Sequence, residues 1–399
     1  MEKVKFGIIG AGNMGTGHFR SFMSNLIKNG ECVAIADLLP EKLEEKKKIA
    51  QELNPEAGKK VQYFNSGDEL IESGCCDAVI IAVPHYDHPT FAIKAMKKGM
   101  HALVEKPAGV YTLQVQEMLD ESKKHPELKL GIMFNQRTNP HFKKMKQLIA
   151  DGELGEITRL NWIITNWYRT QRYYDTGGWR ATWKGEGGGV LYNQAPHNID
   201  LFQWIPDMMP NKVHAFCHFG KWHNIEVEDD VTAYFEYPNG ATGVFITTTG
   251  DAPGTNRFEI CGDRGKLVYE GDKLTFIKTD VSIKEYTYTT ANTFNGPAMQ
   301  NIEVKVEGDN PQHVGILNNF ANAILDIEPL YAPASDGIKG VTLANAMLLS
   351  GWTGETVELP LDGKKFYDML QQHIKDSKFV KVTAEDTGTA DLSSTYNSK

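Results

Sequence analysis

The most constraining feature of the sequence is a glycine-rich segment close to its N-terminus. The apolar run Val4 to Ile9 leads directly into residues 10–15, which read GAGNMG, and an amphipathic helical pattern follows. In the G-x-G-x-x-G fingerprint, the glycines allow a tight turn, close backbone approach to a pyrophosphate, and packing of a helix on a strand. The segment therefore predicts a dinucleotide site. The alternative is a glycine-rich turn with no ligand.

An acidic residue stands where such a site uses one. A second β-like run, Glu31 to Ala36, ends in Asp37, which lies about 20 residues beyond the glycines. A carboxylate there would accept hydrogen bonds from the adenosine ribose and would repel a 2′-phosphate. The neighbours Leu38 and Leu39 supply no arginine that could receive such a phosphate. The sequence therefore predicts NAD, in preference to NADP, as the cofactor.

Size and composition narrow the class of protein. A chain of 399 residues is expected to form two or three domains, and its net charge of −9 argues against a nucleic-acid partner. No apolar stretch is long enough to span a bilayer, and no secretory signal is recognisable, so a cytoplasmic location is expected. The five cysteines are expected to be free thiols, and no metal site is predicted because no ligand spacing points to one.

The first 135 residues alternate between β and α patterns, which predicts an α/β fold with a doubly wound parallel sheet. Strands are expected at 61–64, 77–83, 101–105 and 128–134, and helices at 40–53 and 112–124. Open sheets of this kind bind ligands outside the carboxyl ends of their strands. The residues expected to contact the cofactor there are Gly10, Ala11, Gly12, Asn13, Met14, Gly15, Asp37, Val83, Pro84, His85, His88, Glu105, Lys106 and Asn135.

The pattern changes beyond residue 135. Asn139 and Pro140 are typical of the start of a helix, and extended patterns then dominate to about residue 290. This predicts a C-terminal α+β domain over 136–380, built on a large, open, mostly antiparallel sheet. Helical patterns return at 312–325, 340–349 and 366–374, with C-terminal helices returning toward the first domain. Residues 381–399 are small and polar, and a flexible tail is expected there.

A second glycine-rich stretch, Gly187 to Gly189, precedes the main candidate for chemistry. If residues 190–205 formed one helix, Asn193 and His197 would share a face. Pro196 cannot donate to the carbonyl group of Tyr192, so the helix is either kinked there or starts later. Taken alone, His197 is better explained as a core histidine than as a catalytic one.

The combined motifs resemble the glucose-fructose oxidoreductase, inositol dehydrogenase and rhizopine-catabolism family (Gfo/Idh/MocA) of nicotinamide-dependent dehydrogenases. The shared features are the glycine-rich segment, Glu105-Lys106-Pro107, the GGG stretch followed by His197 and Asp200, and residues 260–267, ICGDRGKL. A late segment from Ala334 to Pro360 also fits. The resemblance covers roughly residues 1 to 365, and it favours a catalytic His197.

The resemblance implies roles for individual residues. In the family, a lysine of the E-K-P motif and a histidine of the second domain flank the substrate hydroxyl, which corresponds to Lys106 and His197. An imidazole, with an ordinary pKa of about 6.5, suits proton transfer near neutrality, whereas a lysine suits polarising the oxygen. Many members carry an aspartate where this chain has Asn193, which can orient a hydroxyl but holds no charge. Tyr192 is an alternative proton donor.

The resemblance also implies a sugar, glycoside or cyclitol substrate, with hydride moving between a secondary ring alcohol and NAD. The segment 162–183 is rich in aromatic and basic residues that suit a sugar, although it could instead pack at a subunit interface. Two alternatives remain: a glycosidase that oxidises C3 transiently, and a catalytically silent sugar sensor. A homodimer or homotetramer formed through the C-terminal sheet is expected. The expected substrate contacts are Lys106, Tyr168, Trp179, Arg180, Tyr192, Asn193 and His197.

Overall fold

The computed structural model describes residues 3–384, which divide into two compact units. The first unit holds residues 3–138 and 310–341, and the second holds 139–309 and 342–384. The sequence pattern assigns 310–341 to the second domain, and the structure differs because these residues pack on the first sheet. Ile132 N donates to Ala332 O at 2.9 Å, and the guanidinium of Arg137 lies 2.7 Å from a carboxylate oxygen of Asp336.

The first unit is built on a parallel sheet of six strands in the order β3-β2-β1-β4-β5-β6. The strands are β1 (Val4–Ile9), β2 (Gly30–Ala36), β3 (Gln62–Phe64), β4 (Ala78–Ile81), β5 (His101–Val104) and β6 (Leu130–Ile132). The order reverses between β1 and β4, which is the point where doubly wound sheets bind their ligands. The glycine-rich segment lies there, and the predicted fold class is confirmed.

Helices pack on this sheet. They are α1 (Asn13–Met23), α2 (Pro40–Leu53), α3 (Pro55–Gly58), α4 (Gly67–Ser73), α5 (His88–Lys97) and α6 (Thr112–Ser122). Every residue of β4 is buried, as its continuous apolar run predicts for a central parallel strand. The ring of Phe6 on β1 lies 5.2 Å from that of Phe22 on α1, so the helix that follows the glycine-rich turn is fixed to the sheet.

The second unit is built on a nine-stranded sheet in the order β14-β13-β12-β11-β7-β10-β9-β8-β15, in which only β7 and β10 pair in parallel. Its strands are β7 (Ile157–Ile164), β8 (Lys212–Phe219), β9 (Glu228–Glu236), β10 (Thr242–Thr248), β11 (Asn256–Gly262), β12 (Gly265–Glu270), β13 (Lys273–Thr279), β14 (Met299–Glu303) and β15 (Val357–Glu358). Val231, Ala233 and Phe235 are buried on one face of β9, which confirms the predicted alternation.

The helices of this part of the chain are α7 (Pro140–Ala150), α8 (Gln171–Asp175), α9 (Pro196–Trp204) and α10 (Ile283–Thr289). Helix α10 interrupts a region that the sequence pattern predicts to be extended. Phe202 on α9 lies 5.3 Å from Phe235 and 5.6 Å from Phe245, ring to ring, so α9 packs on the sheet. Trp162 stacks on Phe258 at 4.2 Å and is fully buried, so it is a core residue and not a sugar contact.

The C-terminal helices are α11 (Gln312–Ile324), α12 (Ala334–Thr353) and α13 (Gly363–Asp376), close to the predicted positions. Of the predicted tail, residues 385–399 lie outside the described residues. Before them, Lys381 Nζ donates to the carbonyl oxygens of Tyr174 and Arg180, at 2.5 and 2.9 Å.

Three further findings concern the described residues 3–384. Their helices are all too short or too polar to cross a membrane. The five cysteines, all of which lie in this range, are free thiols, as predicted. No group of three or more His, Cys, Asp or Glu side chains in this range could hold a metal ion.

Candidate functional site

The glycine-rich turn joins β1 to α1 and is shaped by close backbone packing. Gly10 has a left-handed φ of +96°, and a Cβ there would lie 2.4 Å from the carbonyl oxygen of Ala82, just beyond β4. A Cβ on Gly15 would lie 1.8 Å from the carbonyl oxygen of Gly10. Both positions therefore require glycine. The turn and the carboxyl end of β4 are brought together, as predicted.

Gly12, in contrast, faces open space. A Cβ on Gly12 would have one neighbour within 4 Å among the described residues, the Lys42 Nζ at 3.8 Å. Gly12 is also the N-cap of α1, and the first turn of that helix carries no acidic residue at positions 13–16. Backbone N–H groups at a helix N-terminus attract phosphate. The open side of Gly12 and the start of α1 therefore fit the pyrophosphate of a dinucleotide.

Asp37 lies beside this turn and is linked to it. Its Oδ2 accepts a hydrogen bond from Ala11 N at 2.7 Å, and its Oδ1 accepts one from Leu39 N at 2.9 Å. Each carboxylate oxygen has a second lone pair, so the half-buried side chain can still accept hydrogen bonds from a ribose. The side chain of the next residue, Leu38, is 78% exposed. Asp37 therefore fits the predicted ribose contact.

The segment after β4 contains the predicted residues Val83, Pro84, His85 and His88. The His88 ring is buried, with Nδ1 at 2.7 Å from Pro107 O and Nε2 at 2.9 Å from Val83 O. Both nitrogens face backbone carbonyls, and burial lowers the pKa of His88. His88 thus forms a structural link between two strand ends, and the cofactor contact expected for it stays a prediction. His85, 5.8 Å away ring to ring, is also buried.

Glu105, directly after β5, has a buried hydrogen-bond partner, His18, that the sequence did not reveal. Its Oε1 lies 2.6 Å from Nε2 of His18, and its Oε2 accepts a hydrogen bond from Lys106 N at 3.2 Å. Burial raises the pKa of this carboxyl, but the hydrogen bond and charge of His18 outweigh that effect and lower it to about 2. Glu105 is therefore a fixed negative charge directly before Lys106.

Residues of α11 complete this end of the first unit. His313 lies 5.6 Å from His18, ring to ring, and burial lowers the pKa of His313 to about 4. Asn135 is fully buried, and its Nδ2 donates to Gln312 Oε1 at 2.5 Å. Within the described residues, Asn135 Oδ1 accepts no hydrogen bond. No sequence signal pointed to His18, Gln312 or His313, since their partners lie far away in the chain.

In the second unit, helix α9 begins at Pro196 and not at residue 190. Residues 187–195 form turns, and Pro196 occupies the first helical position, where its missing N–H carries no penalty. The single helix considered over 190–205 is therefore wrong, and the alternative that the helix starts later is confirmed. His197 lies in the first turn of α9 and is buried, whereas Asn193 precedes the helix.

The side chains of Asn193 and Tyr192 have different neighbours. Asn193 Nδ2 donates a short hydrogen bond to Glu186 Oε1, and Glu186 Oε2 accepts another from Ala181 N at 2.7 Å. The Tyr192 hydroxyl accepts a hydrogen bond from Asn345 Nδ2 and is 1% exposed. The buried position of Tyr192 agrees with core packing, its alternative explanation. Sequence reasoning missed Glu186, although it stands next to the GGG stretch.

The GGG stretch is closed by packing at Gly188 and Gly189. A Cβ on Gly188 would lie 2.2 Å from the Tyr192 ring, and one on Gly189 would lie 2.0 Å from Glu228 O. Glu228 Oε1 accepts hydrogen bonds from the backbone N–H groups of Gly189 and Leu191, at 2.8 and 3.0 Å. Glu228 is fully buried, which raises its pKa to about 8. This turn therefore fixes the backbone that leads to Asn193 and His197.

Part of the predicted aromatic and basic segment forms a cluster in the second unit. The guanidinium group of Arg180 lies 4.9 Å from the ring centres of both Tyr173 and Trp179. The Arg169 guanidinium lies 5.2 Å from Tyr173, and Tyr168 is 49% exposed. Trp179 and Arg180 are thus brought together, and their stacked planar groups suit the CH faces and hydroxyl rim of a sugar.

Family models match both units. Residues 4–131 match the model described as the oxidoreductase family, NAD-binding Rossmann fold. Residues 142–268 match the GFO/IDH/MocA C-terminal domain. The two matches follow the same order along the chain as the two units of the structure.

Individual relatives are distant. The rhizopine catabolism protein MocA of Rhizobium meliloti is 26% identical over 210 residues, which is 53% of this chain and 59% of that protein. The chain therefore matches less than two thirds of the length of MocA. Myo-inositol 2-dehydrogenase of Thermotoga maritima is 25% identical over 282 residues, 69% of this chain and 77% of that protein.

A solved structure supports the fold. The WlbA dehydrogenase from Bordetella pertussis, in complex with NADH and UDP-GlcNAcA, is 24% identical and has a TM-score of 0.74. The similarity covers 90% of this chain and 100% of that one. With family models matching both of its units, the chain belongs to the GFO/IDH/MocA oxidoreductase family, and its first unit carries the NAD-binding Rossmann fold of that family.

Proposed function

We propose that the protein is an NAD-dependent dehydrogenase that moves hydride between a secondary ring alcohol of a sugar, glycoside or cyclitol and NAD. The observation that carries this proposal is the turn at residues 10–15. Packing closes it at Gly10 and Gly15 and leaves it open at Gly12, next to the start of α1 and to Asp37. That arrangement fits a pyrophosphate followed by an adenosine ribose.

The proposed roles divide between holding the cofactor and moving a proton. Bound NAD would supply a hydride acceptor. Asp37 would accept hydrogen bonds from the ribose, and the N–H groups of residues 13–15 would face the pyrophosphate. Lys106 would polarise the substrate oxygen, and His197 would take the hydroxyl proton. Glu105, which is ionised at neutral pH, directly precedes Lys106, and its Oε2 accepts a hydrogen bond from the backbone N–H of that residue.

A carbohydrate-like substrate is proposed on two grounds. The partly exposed cluster of Tyr173, Trp179 and Arg180 combines aromatic faces with hydrogen-bond donors. The relatives carry names that refer to rhizopine catabolism and to oxidation of myo-inositol, and WlbA was solved with a nucleotide sugar.

A substrate panel tests the proposal. Sugars, cyclitols and aryl glycosides would be incubated with NAD while NADH is followed at 340 nm and the released aglycone by chromatography. A dehydrogenase produces NADH in proportion to oxidised substrate. Aglycone release without NADH would replace the proposal by the glycosidase alternative, and sugar binding without either product would replace it by the sensor.

The role of His197 is tested by substitution. His197→Ala should lower turnover by roughly 10²- to 10⁴-fold, which is the usual contribution of a general acid–base group. NAD binding, followed by fluorescence titration, should be unchanged because His197 belongs to the second unit. Turnover at the parent rate would end this assignment and leave His197 as a core residue.

We also propose a homodimer or homotetramer assembled through the nine-stranded sheet, which exposes large apolar side chains. Phe216 on β8, Tyr234 on β9 and Ile163 on β7 are 63%, 43% and 37% exposed. Exposed apolar side chains on a sheet are typical of an association surface. Light scattering measures the mass directly. Phe216→Lys should lower the mass, whereas Leu38→Lys, at an exposed leucine of the first unit, should leave it unchanged.

A further inference from the structure

Glu186 is the direct neighbour of Asn193, the residue that stands where many family members carry an aspartate. Asn193 Nδ2 donates to Glu186 Oε1, and Glu186 Oε2 accepts from Ala181 N at 2.7 Å. Glu186 is only 1% exposed, whereas Asn193 is partly accessible. A buried carboxyl group thus holds the Nδ2 end of a side chain that belongs to a partly accessible residue.

The chemistry of this contact fixes which way the amide of Asn193 points. Asn193 Nδ2 donates to Glu186 Oε1, an atom that can only accept hydrogen bonds when the carboxyl group is ionised. The other atom of the amide, Oδ1, is an acceptor only. We propose that Glu186 is a positioning residue, which orients Asn193 so that Oδ1 accepts a hydrogen bond from the substrate hydroxyl. This inference rests on the proposed function.

The pKa of Glu186 lies above its ordinary value, because burial outweighs the contacts that favour the ionised form. Burial raises the pKa of Glu186, and the hydrogen bonds from Asn193 and Ala181 and the charge of Arg180 oppose that rise. The other charged or titratable groups that act on it or respond to it are Lys381, Glu228 and Tyr174. Ala181 has a left-handed φ of +65°, which turns its N–H toward the carboxylate.

Glu186→Gln tests the orientation because it replaces one acceptor by a donor. The new amide can satisfy Ala181 N with its oxygen, but its NH₂ group then faces Asn193. The amide of Asn193 would have to flip, and a donor would replace the acceptor at the substrate. We expect kcat to fall by roughly 10- to 100-fold, the size usually seen when a substrate-positioning group is misdirected. KM for NAD should stay the same.

Asn193→Asp and the double variant make the test specific. In Asn193→Asp, two carboxyl groups face each other, so activity should be low at neutral pH and should rise as the pH falls and the pair gains a proton. In the double variant E186Q/N193D, the amide at position 186 donates to the carboxylate at position 193. That carboxylate still presents an acceptor to the substrate. The double variant should therefore exceed both single variants in kcat at pH 7, without the acid-side rise.

A matched control variant distinguishes the effect of turning the Asn193 amide from the effect of removing a buried carboxyl group. Glu121→Gln also converts a buried carboxyl to an amide, but on α6 of the first unit, where its oxygens contact Lys124 and His125 and no proposed site residue, so kcat should change less than about threefold. If the parent enzyme oxidises none of the panel, the proposed function fails. If the parent is active but the double variant is no better than the single variants, or Glu186→Gln has full kcat, the role of Glu186 is overturned.

Discussion

The two glycine-rich turns of this chain look alike in sequence and do different things. In the first unit, Gly10 and Gly15 are closed by backbone packing, and Gly12 faces open space. In the second unit, Gly188 and Gly189 are both closed by neighbouring protein atoms. A turn that binds a ligand is therefore recognised by a glycine that borders open space, where the ligand can lie, and not by the number of glycines.

Each turn also donates backbone N–H groups to a carboxyl group. One of these carboxyl groups is partly exposed, and the other is buried. Asp37 accepts from Ala11 N and Leu39 N and remains half-exposed. Glu228 accepts from Gly189 N and Leu191 N and is fully buried, which raises its pKa to about 8. The first carboxyl group can still receive a ligand, whereas burial disfavours the ionised form of the second, which serves the fold.

The largest predicted effect is a loss of folding stability when alanine replaces a glycine that is closely packed against other backbone atoms. Gly189→Ala places a Cβ 2.0 Å from Glu228 O, so the backbone must move and the free energy of unfolding should fall by about 3 kcal/mol or more. Urea denaturation of the second unit measures this loss. Gly178→Ala is the matched control, because a Cβ there has no described neighbour within 4 Å. Equal stability of the two variants would show that the second turn is open.

Glu228→Gln tests the buried carboxyl through the pH dependence of stability. The folded pKa of Glu228, about 8, lies above its ordinary value of 4.5, so the parent loses stability as the pH rises from about 4.5 to about 8. The Gln variant lacks this loss. The difference in unfolding free energy between the two proteins should therefore shift in favour of the variant, by on the order of 3 kcal/mol between pH 5 and 9. A constant difference across this range would mean that Glu228 is ionised throughout.

Some of these structural features could be predicted from the sequence, and others could not. The strands of the first unit and its glycine turn were predictable because their signals are local: apolar runs, alternation and turn residues. The start of α9 remained open because Pro196 is compatible with either a kink or a first helical position. The hydrogen bond between His18 and Glu105 joins residues that are 87 positions apart in the chain, so no local sequence pattern predicts it. The packing of Trp162 on Phe258 likewise joins separate strands.

Asp37→Ala tests the open carboxylate. KM for NAD should rise by roughly 10- to 100-fold, because hydrogen bonds to a charged group contribute about 1.5–3 kcal/mol each. Turnover at saturating NAD should change little. Asp37→Asn keeps an acceptor for Ala11 N, so its effect should be smaller and will separate loss of the ribose contact from loosening of the turn. An unchanged NAD requirement in Asp37→Ala would remove the assignment.

Gly12→Ala is expected to have the smallest effect and makes the sharpest contrast with Gly189→Ala. Gly12 has φ −70° and ψ −165°, an extended conformation that alanine adopts without strain, and its Cβ would meet only Lys42 Nζ, at 3.8 Å. The unfolding free energy should therefore stay within about 0.5 kcal/mol of the parent value. KM for NAD should nevertheless rise, by roughly 5- to 10-fold, because the new methyl group occupies space that the pyrophosphate needs. Thermal unfolding and NAD titration of the same preparation measure both quantities. A variant with weakened folding and unchanged NAD affinity would reverse the comparison, since the open side of Gly12 would then be filled by protein and the cofactor would bind elsewhere.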